Sequence, residues 1–176
     1  MVDRRRDRRS DILTAAEAEF GDSGFAGGRV ERIAASARVN KQLLFHYFGS
    51  KEALYVAALE SLLARVDTPP AGPHSPAEAL RQLLRFISAT SQENPRLRAI
   101  IADAHFNRAC PPTAVTRVRQ WVAGLASAAE RLITEGQRSG HFRELDARGV
   151  AGAAISTALW SAPGAEDMVL DFCTWH

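Results

Sequence analysis

The chain has 176 residues, of which 46% are hydrophobic, and a formal net charge of +2. This length suits one compact domain or two small ones, and the hydrophobic share excludes wholesale disorder. No apolar run reaches the ~18 residues of a membrane span, so no membrane partner is expected. The arginine-rich N-terminus lacks the apolar segment of an export signal, which predicts a cytoplasmic protein.

Positive charge is concentrated near the N-terminus. Residues 1–51 contain 10 basic and 7 acidic side chains, whereas residues 52–176 contain 12 and 13. Of the 22 basic residues only Lys41 and Lys51 are lysines. A lysine suits phosphate contacts that do not require the planar, bidentate hydrogen bonding of an arginine. Five arginines lie within residues 4–9, which predicts either a disordered arm or the frayed start of a helix. This segment either is solvated or contacts DNA.

Three short helices are predicted next. Apolar residues at helical spacing predict a helix that Ser10 caps and Gly24 ends, then a two-turn helix over 29–37. Asn40 is a strong N-cap for a third helix over 41–47, whose outward residues are polar, basic and aromatic. A short helix with such a face is typical of the major-groove reader of a helix-turn-helix.

The rest of the chain also has helical periodicity, and no alternating strand pattern occurs. Ser50 is the predicted cap of a fourth helix that reaches about residue 65, and a proline-rich break covers 67–76. Further helices are predicted over 77–91, 95–107, 113–140, 146–161 and 165–176. The prediction is an all-α fold of about nine helices, with a three-helix helix-turn-helix domain at 1–50 and a helical ligand-binding and dimerisation bundle at 51–176.

Residues 10–53 resemble the DNA-binding domain of the TetR family of bacterial transcriptional regulators. The matching residues are Ile12, Ala15, Ala16, Phe20, Gly24, Phe25, Val30, Ile33, Ala34, Ala37, Val39, Asn40, Lys41, Leu44, Phe45, His46, Tyr47, Phe48, Lys51 and Leu54. The resemblance implies a homodimeric repressor that binds a palindromic double-stranded DNA operator and is released by a small-molecule effector. It implies no cofactor.

The chain departs from the family pattern at four places. Gly28-Arg29 stands where the family usually has threonine, so a side-chain cap is lost and Arg29 becomes the expected phosphate contact. Arg38 replaces the usual turn glycine, and a positive φ there would cost about 1 kcal/mol. Leu43 replaces a small or polar residue that often reads bases, and Phe45 replaces a tyrosine whose hydroxyl commonly meets a phosphate.

The candidate DNA-binding residues are Arg29, Asn40, Lys41, Gln42, Leu43, Phe45, His46, Tyr47 and Lys51. We expect the Gln42 amide to read a base, because amides pair with adenine edges. Tyr47 and Lys51 are expected to contact phosphates, and Lys41 a guanine or a phosphate. His46 would contact a phosphate if protonated or a base through water if neutral. The alternative for this set is a solvated helix face.

Candidate ligand-binding residues combine aromatic and polar side chains, as small-molecule sites require. They are Phe86, Asp103, His105, Phe106, Trp121 and Trp160. The alternative for each is ordinary core or surface. No metal site is expected, because Cys110 and Cys173 fit no ligand spacing and Asp103 and His105, two residues apart, face different sides of a helix.

The chain shows no spacing typical of a catalytic constellation, so we predict that it is not an enzyme. The alternative is a helical enzyme or small-molecule-binding protein without sequence-specific DNA binding. A regulator of this kind could also activate instead of repress. The Ala- and Gly-rich stretch 149–161 permits close helix approach, so together with 165–176 it is the predicted dimer face.

Overall fold

A computed structural model of the chain describes residues 4–66, 75–160 and 165–174, and all regular structure within them is helical. The helices are α1 (Arg4–Gly27), α2 (Val30–Ser36), α3 (Lys41–Phe48), α4 (Lys51–Leu63), α5 (Pro76–Glu93), α6 (Pro95–Phe106), α7 (Pro112–Arg138), α8 (Ala147–Trp160) and α9 (Ala165–Thr174). The predicted all-α class is confirmed, and each predicted helix has its counterpart. The proline-rich segment 67–74 lies outside the described residues.

The helices form two compact units. The first compact unit combines α1–α4 with α6 and the start of α7 up to Val118, and the second combines α5, α8, α9 and α7 from Arg119 onward. Packing thus places α4 and α6 with the helix-turn-helix. The predicted functional boundary between residues 50 and 51 stays a prediction.

The core of the first compact unit is formed by α1, α4 and α6. Phe20 and Tyr55 are fully buried, and their rings meet edge to face with centroids 5.0 Å apart. Leu54 and Ile100 are buried beside them. Each large apolar side chain removed from water contributes about 1.5–3 kcal/mol, so this core holds the helix-turn-helix against α6.

The start of α1 differs from the prediction, whereas Gly24 interrupts it as predicted. The helix begins at Arg4, so Ser10 lies inside it and the predicted N-cap at Ser10 is wrong. Arginine is a good helix former, and the basic segment prolongs the helix. Gly24 (φ 65°) interrupts the helix where an end was predicted, and the chain regains helical form as far as Gly27. Glycine adopts this left-handed φ without the steric penalty of a Cβ.

The turn before α2 explains one departure from the family pattern. Gly28 is buried, and a Cβ there would lie 2.5 Å from the Phe20 ring. Arg29 provides no side-chain cap, as predicted, but its N–H donates to the Glu19 carboxylate at 2.8 Å. A side chain of α1 therefore accepts from the N-cap residue's own N–H, which is a different group from the N–H of the second or third helical residue that a threonine cap would satisfy.

The second compact unit is held mainly by aliphatic contacts. Leu80, Leu84 and Ile87 of α5 are buried in one cluster with Ile133 and Ile155. Among the helices of this unit, α5 packs on both α8 and α9, and α8 packs on α9. The helix α7 ends at Arg138, two residues before the predicted end at Gly140, and Gly140 has a φ of 73°.

Candidate nucleic-acid interface and ligand site

Side-chain caps define the starts of α3 and of the helix that follows it. The Asn40 Oδ1 accepts a hydrogen bond from the Leu43 N–H at 2.7 Å, and the Ser50 Oγ accepts one from the Ala53 N–H at 3.1 Å, so both predicted N-caps are confirmed. Arg38, in the turn between α2 and α3, has a positive φ (53°), the conformation whose cost the replacement of a glycine raised. The backbone that presents α3 is therefore fixed locally.

The exposed face of α3 has the predicted chemistry. Lys41, Gln42 and His46 are exposed and Leu44 is fully buried. Of the remaining candidates on this helix, Leu43, Phe45 and Tyr47 are half-buried. Polar donors thus point outward from a helix whose apolar side is packed, which is the arrangement that base reading requires. The individual DNA contacts stay predictions.

Lys41 already has an anionic partner. Its ammonium forms an ion pair with Glu31 of α2 and lies 5.8 Å from the centroid of the Phe45 ring. The hydrogen bond from Lys41 is the largest influence on Glu31 and holds the pKa of that carboxyl below its ordinary value. Both partners are exposed, so solvent and salt screen the pair.

Lys51 stands in the first turn of α4 and lies over an aromatic ring. Its Nζ is 4.7 Å from the centroid of Phe25, and the side chain is half-buried. A helix N-terminus carries partial positive charge and free N–H groups, and it therefore attracts anions. An ammonium at the same place adds to this attraction, so the pair favours binding of an anion such as a phosphate. The side chain of Arg29, in the turn before α2, is also exposed.

Two arginines of α1 extend the cationic surface beyond the predicted set. Arg8 donates to the Arg38 carbonyl at 3.2 Å, and the Arg9 guanidinium lies 5.2 Å from the centroid of the Phe48 ring. They therefore lie beside the α2–α3 turn and the end of α3. The arginine run was the signal in the sequence, but periodicity did not reveal that it continues α1 as a helix.

The six predicted ligand residues are divided between the two compact units. Phe86, Trp121 and Trp160 pack, partly buried, against the apolar cluster of the second compact unit. The other three belong to α6 in the first compact unit. Phe106 is 71% exposed, and its ring meets that of His105 at 4.7 Å. The assignment of all six to a ligand stays a prediction.

Asp103 is surrounded by hydrogen-bond donors. Its carboxylate accepts from the Phe25 N–H at 2.7 Å, the Tyr55 hydroxyl at 2.8 Å, the Asn107 amide at 3.0 Å and the Cys110 thiol at 3.2 Å. We call Tyr55, Asp103, Asn107 and Cys110 the Asp103 cluster. Sequence reasoning missed it, because its members are brought together only by the packing of α6 on α1 and α4.

Ionisation in the Asp103 cluster follows from burial and hydrogen bonding. Burial on its own would raise the pKa of Asp103, but the hydrogen bonds from Phe25, Tyr55 and Asn107 outweigh it and the pKa lies below its ordinary value. Burial raises the pKa of the Cys110 thiol to about 11 and that of the Tyr55 hydroxyl still further. At neutral pH the cluster therefore has one carboxylate and neutral donors around it.

An exposed apolar groove lies between α8 and α9. Met168 and Phe172 are 73% and 52% exposed, although both are large hydrophobic residues. With Val150, Ala154 and Val169 they line a groove of about 340 Å³. Exposed apolar patches of this kind are common at protein interfaces. The groove lies within the two segments predicted as the dimer face, and that assignment stays a prediction.

Neither a metal centre nor a membrane span occurs in the described part of the chain. Across residues 4–66, 75–160 and 165–174, no cluster of three or more His, Cys, Asp or Glu side chains is arranged to hold a metal ion. Within the same ranges, no helix has the length and apolar character needed to cross a bilayer.

The chain matches two family models. Residues 12–58 match the bacterial regulatory proteins of the tetR family, and residues 76–160 match the tetracyclin repressor-like C-terminal domain. The transcriptional repressor NicS of Pseudomonas putida is 32% identical over 140 residues, covering 77% of this chain and 66% of NicS. Matches to several further curated regulators span only 26–42% of their lengths, so the chain covers less than their full extent.

Solved structures agree in fold. HlyIIR, a hemolysin II transcriptional regulator, superposes with a TM-score of 0.72 at 20% identity and covers 99% of this chain and 100% of its own. AibR, solved with isovaleryl coenzyme A and operator DNA, superposes with a TM-score of 0.70 at 20% identity, covering 96% and 98%. At such identities the likeness shows the fold alone.

Proposed function

This chain belongs to the TetR family of bacterial regulatory proteins, and we propose on that premise that it is a homodimeric, ligand-responsive transcriptional repressor. The observation that carries the proposal is α3, capped at Asn40, with Lys41, Gln42 and His46 exposed on one side and Leu44 buried on the other. NicS is itself named a transcriptional repressor, which supports repression as the sign of regulation.

DNA recognition would divide between base and phosphate contacts. Gln42 is exposed and we assign it to base reading, because its amide matches the donor and acceptor pair of adenine. Lys51, Tyr47 and Arg29 are assigned to phosphates, which position the protein without reading sequence. Lys41 would reach a guanine or a phosphate after leaving Glu31.

Dimerisation would use the groove between α8 and α9. Burial of Met168 and Phe172 against a second copy would remove the largest exposed apolar side chains of that region from water. Two α3 helices would then be held about 34–36 Å apart, one turn of DNA, and would read a palindrome.

Release would follow from effector binding in the second compact unit. Phe86, Trp121 and Trp160 pack around a core with few polar groups, which favours an apolar or amphipathic effector. Such a ligand weakens DNA binding only if it prefers a packing of the bundle that the DNA-bound dimer disfavours.

The test selects bound fragments from genomic DNA with the purified chain and with Gln42→Ala, at one stated salt concentration. We expect the chain to recover a palindrome with half-sites one turn apart, and Gln42→Ala to lose preference at one position in each half-site. A loss of preference at a single base pair corresponds to about 1–3 kcal/mol. No enrichment over random fragments, with or without candidate effectors, would contradict the proposed function.

A further inference from the structure

Lys51 is held by an aromatic ring within the protein. Its Nζ lies 4.7 Å from the centroid of Phe25, a distance at which the ring face attracts a cation. A lysine side chain has many rotamers, and fixing it for a phosphate contact costs conformational entropy. A ring that already restricts the side chain removes part of that cost, and the ammonium keeps donors for a second partner.

Phe25 is in turn fixed at both its backbone and its ring. Its N–H donates to Asp103 Oδ2 at 2.7 Å, and its ring meets the Tyr55 ring edge to face at 5.3 Å. Gly24 makes the backbone contact possible, because a Cβ at this position would come within 2.9 Å of Asp103 Oδ1. The kink of α1 at Gly24 therefore brings the next N–H to the carboxylate of α6.

The carboxylate is held as well. The Tyr55 hydroxyl and the Asn107 amide donate to Asp103 at 2.8 and 3.0 Å. Contacts thus run without interruption from the Asp103 cluster to the Phe25 ring and the Lys51 ammonium, and all of these residues belong to the first compact unit.

We propose that Phe25 and Asp103 are positioning residues for DNA binding, which hold the Lys51 ammonium in place for a backbone phosphate. The inference rests on the proposed function, because it takes Lys51 as a phosphate contact. It goes beyond that function, because Phe25 and Asp103 would contribute to the affinity for DNA without touching it. Asp103 acts through the backbone of Phe25, and Phe25 acts through the ammonium of Lys51.

The experiment measures binding to a random-sequence duplex of about 30 base pairs, titrated between ~50 and ~200 mM salt. Phe25→Leu removes the ring and keeps an apolar side chain, and we expect it to weaken binding about 2- to 5-fold. Phe20→Leu is the matched control, because the fully buried Phe20 ring contacts the same Tyr55 ring, with the two centroids 5.0 Å apart. We expect its affinity for DNA to be unchanged.

The decisive readout is the effect of Phe25→Leu in a Lys51→Ala background. If the ring acts through the ammonium, the second substitution has no further effect on affinity once Lys51 is gone. Lys51→Ala should also reduce the salt slope by about 0.9 for each phosphate that the protein no longer neutralises. Asp103→Asn, which keeps the shape and removes the charge, should weaken binding in the same direction and have no effect in the Lys51→Ala background.

The outcomes separate the inference from the function on which it rests. An equal loss with and without Lys51, or affinity in Phe25→Leu as high as in Phe20→Leu, would overturn the positioning role. Unchanged binding in Lys51→Ala would overturn it too, while leaving DNA binding intact. Absence of salt-dependent binding by the unmodified chain would instead overturn the proposed function. If Phe25→Leu unfolds, as circular dichroism would reveal, Phe25→Met replaces it.

Discussion

The two compact units are stabilised in different ways. The first contains a network of hydrogen bonds to the half-buried Asp103 carboxylate, and an ion pair between the exposed Arg65 and Glu17, which is only 3% exposed. The core of the second is a cluster of aliphatic and aromatic side chains, in which the Ser91 hydroxyl donates to the Leu159 carbonyl at 2.8 Å. Both units therefore have apolar cores, and the first adds directed polar contacts to the filled volume on which the second mainly depends.

This difference suits the work proposed for each unit. Satisfied buried polar networks specify one arrangement, because any other leaves a polar group unpaired in a low dielectric. Apolar cores tolerate repacking at constant volume. A DNA-reading helix needs the first property, and a bundle that accommodates an effector needs the second.

The largest effect is expected from lost volume in the second compact unit. Leu84 is fully buried in its core, so Leu84→Ala should lower the free energy of unfolding by about 2–5 kcal/mol. Leu84→Met preserves volume and should lower it by less than about 1.5 kcal/mol. Denaturant titration followed by tryptophan fluorescence measures this unit, because Trp121 and Trp160 belong to it and residues 1–118 contain no tryptophan. Equal losses for the two variants would contradict a volume-dominated core.

A smaller but directed effect is expected in the first compact unit. Tyr55→Phe keeps the buried ring but removes the hydroxyl that donates to Asp103 at 2.8 Å. Loss of one hydrogen bond to a half-buried charged group should lower the free energy of unfolding by about 1–3 kcal/mol. Circular dichroism should record the loss while the tryptophan transition stays in place. A loss no larger than that of Leu84→Met would erase the contrast between the units.

Acid should weaken the first compact unit through the same cluster. The pKa of Asp103 is lowered in the folded chain, because its hydrogen bonds outweigh the effect of burial. Its contribution is therefore complete above the unfolded carboxyl pKa of about 3.9 and is lost as the pH falls through the folded value. We expect Asp103→Asn to flatten the fall in the free energy of unfolding below about pH 4. An unchanged acid profile in this variant would exclude Asp103 as the titrating group.

The same contrast explains what the sequence could predict. Periodicity and caps are local, so the caps at Asn40 and Ser50 and the succession of helices were predictable. Asp103 accepts hydrogen bonds from Tyr55 and Phe25, which lie 48 and 78 positions away along the chain, and no local pattern encodes such contacts. Residue type therefore singled out Asp103 as a ligand contact, while its pairing with Tyr55 and Phe25 could not be predicted.

The candidate DNA surface was predictable in composition but not in its internal pairing. The outward residues of α3 follow from helical spacing. The pairing of Lys41 with Glu31 depends on how α2 packs beside α3. The pairing of Lys51 with the Phe25 ring depends on how α1 packs beside α4. These pairings decide how much of each charge is available to DNA, so they change the predicted energetics without changing the predicted residues.

The smallest effect should come from releasing Lys41. Glu31→Gln removes the ion-pair partner and a negative charge beside the candidate surface, so duplex binding should tighten about 2- to 5-fold and its salt slope should steepen by up to about 0.9 for each additional phosphate neutralised. Glu78→Gln is the matched control, because it removes the same charge from an ion pair with Arg81 in the second compact unit. Fluorescence anisotropy with a labelled duplex measures both variants.

Equal tightening in the two would mean that only net charge matters, whereas no change in Glu31→Gln would remove Lys41 from the phosphate contacts. Tightening confined to Glu31→Gln at low salt would show that the first compact unit limits non-specific binding by pairing one of its own two lysines.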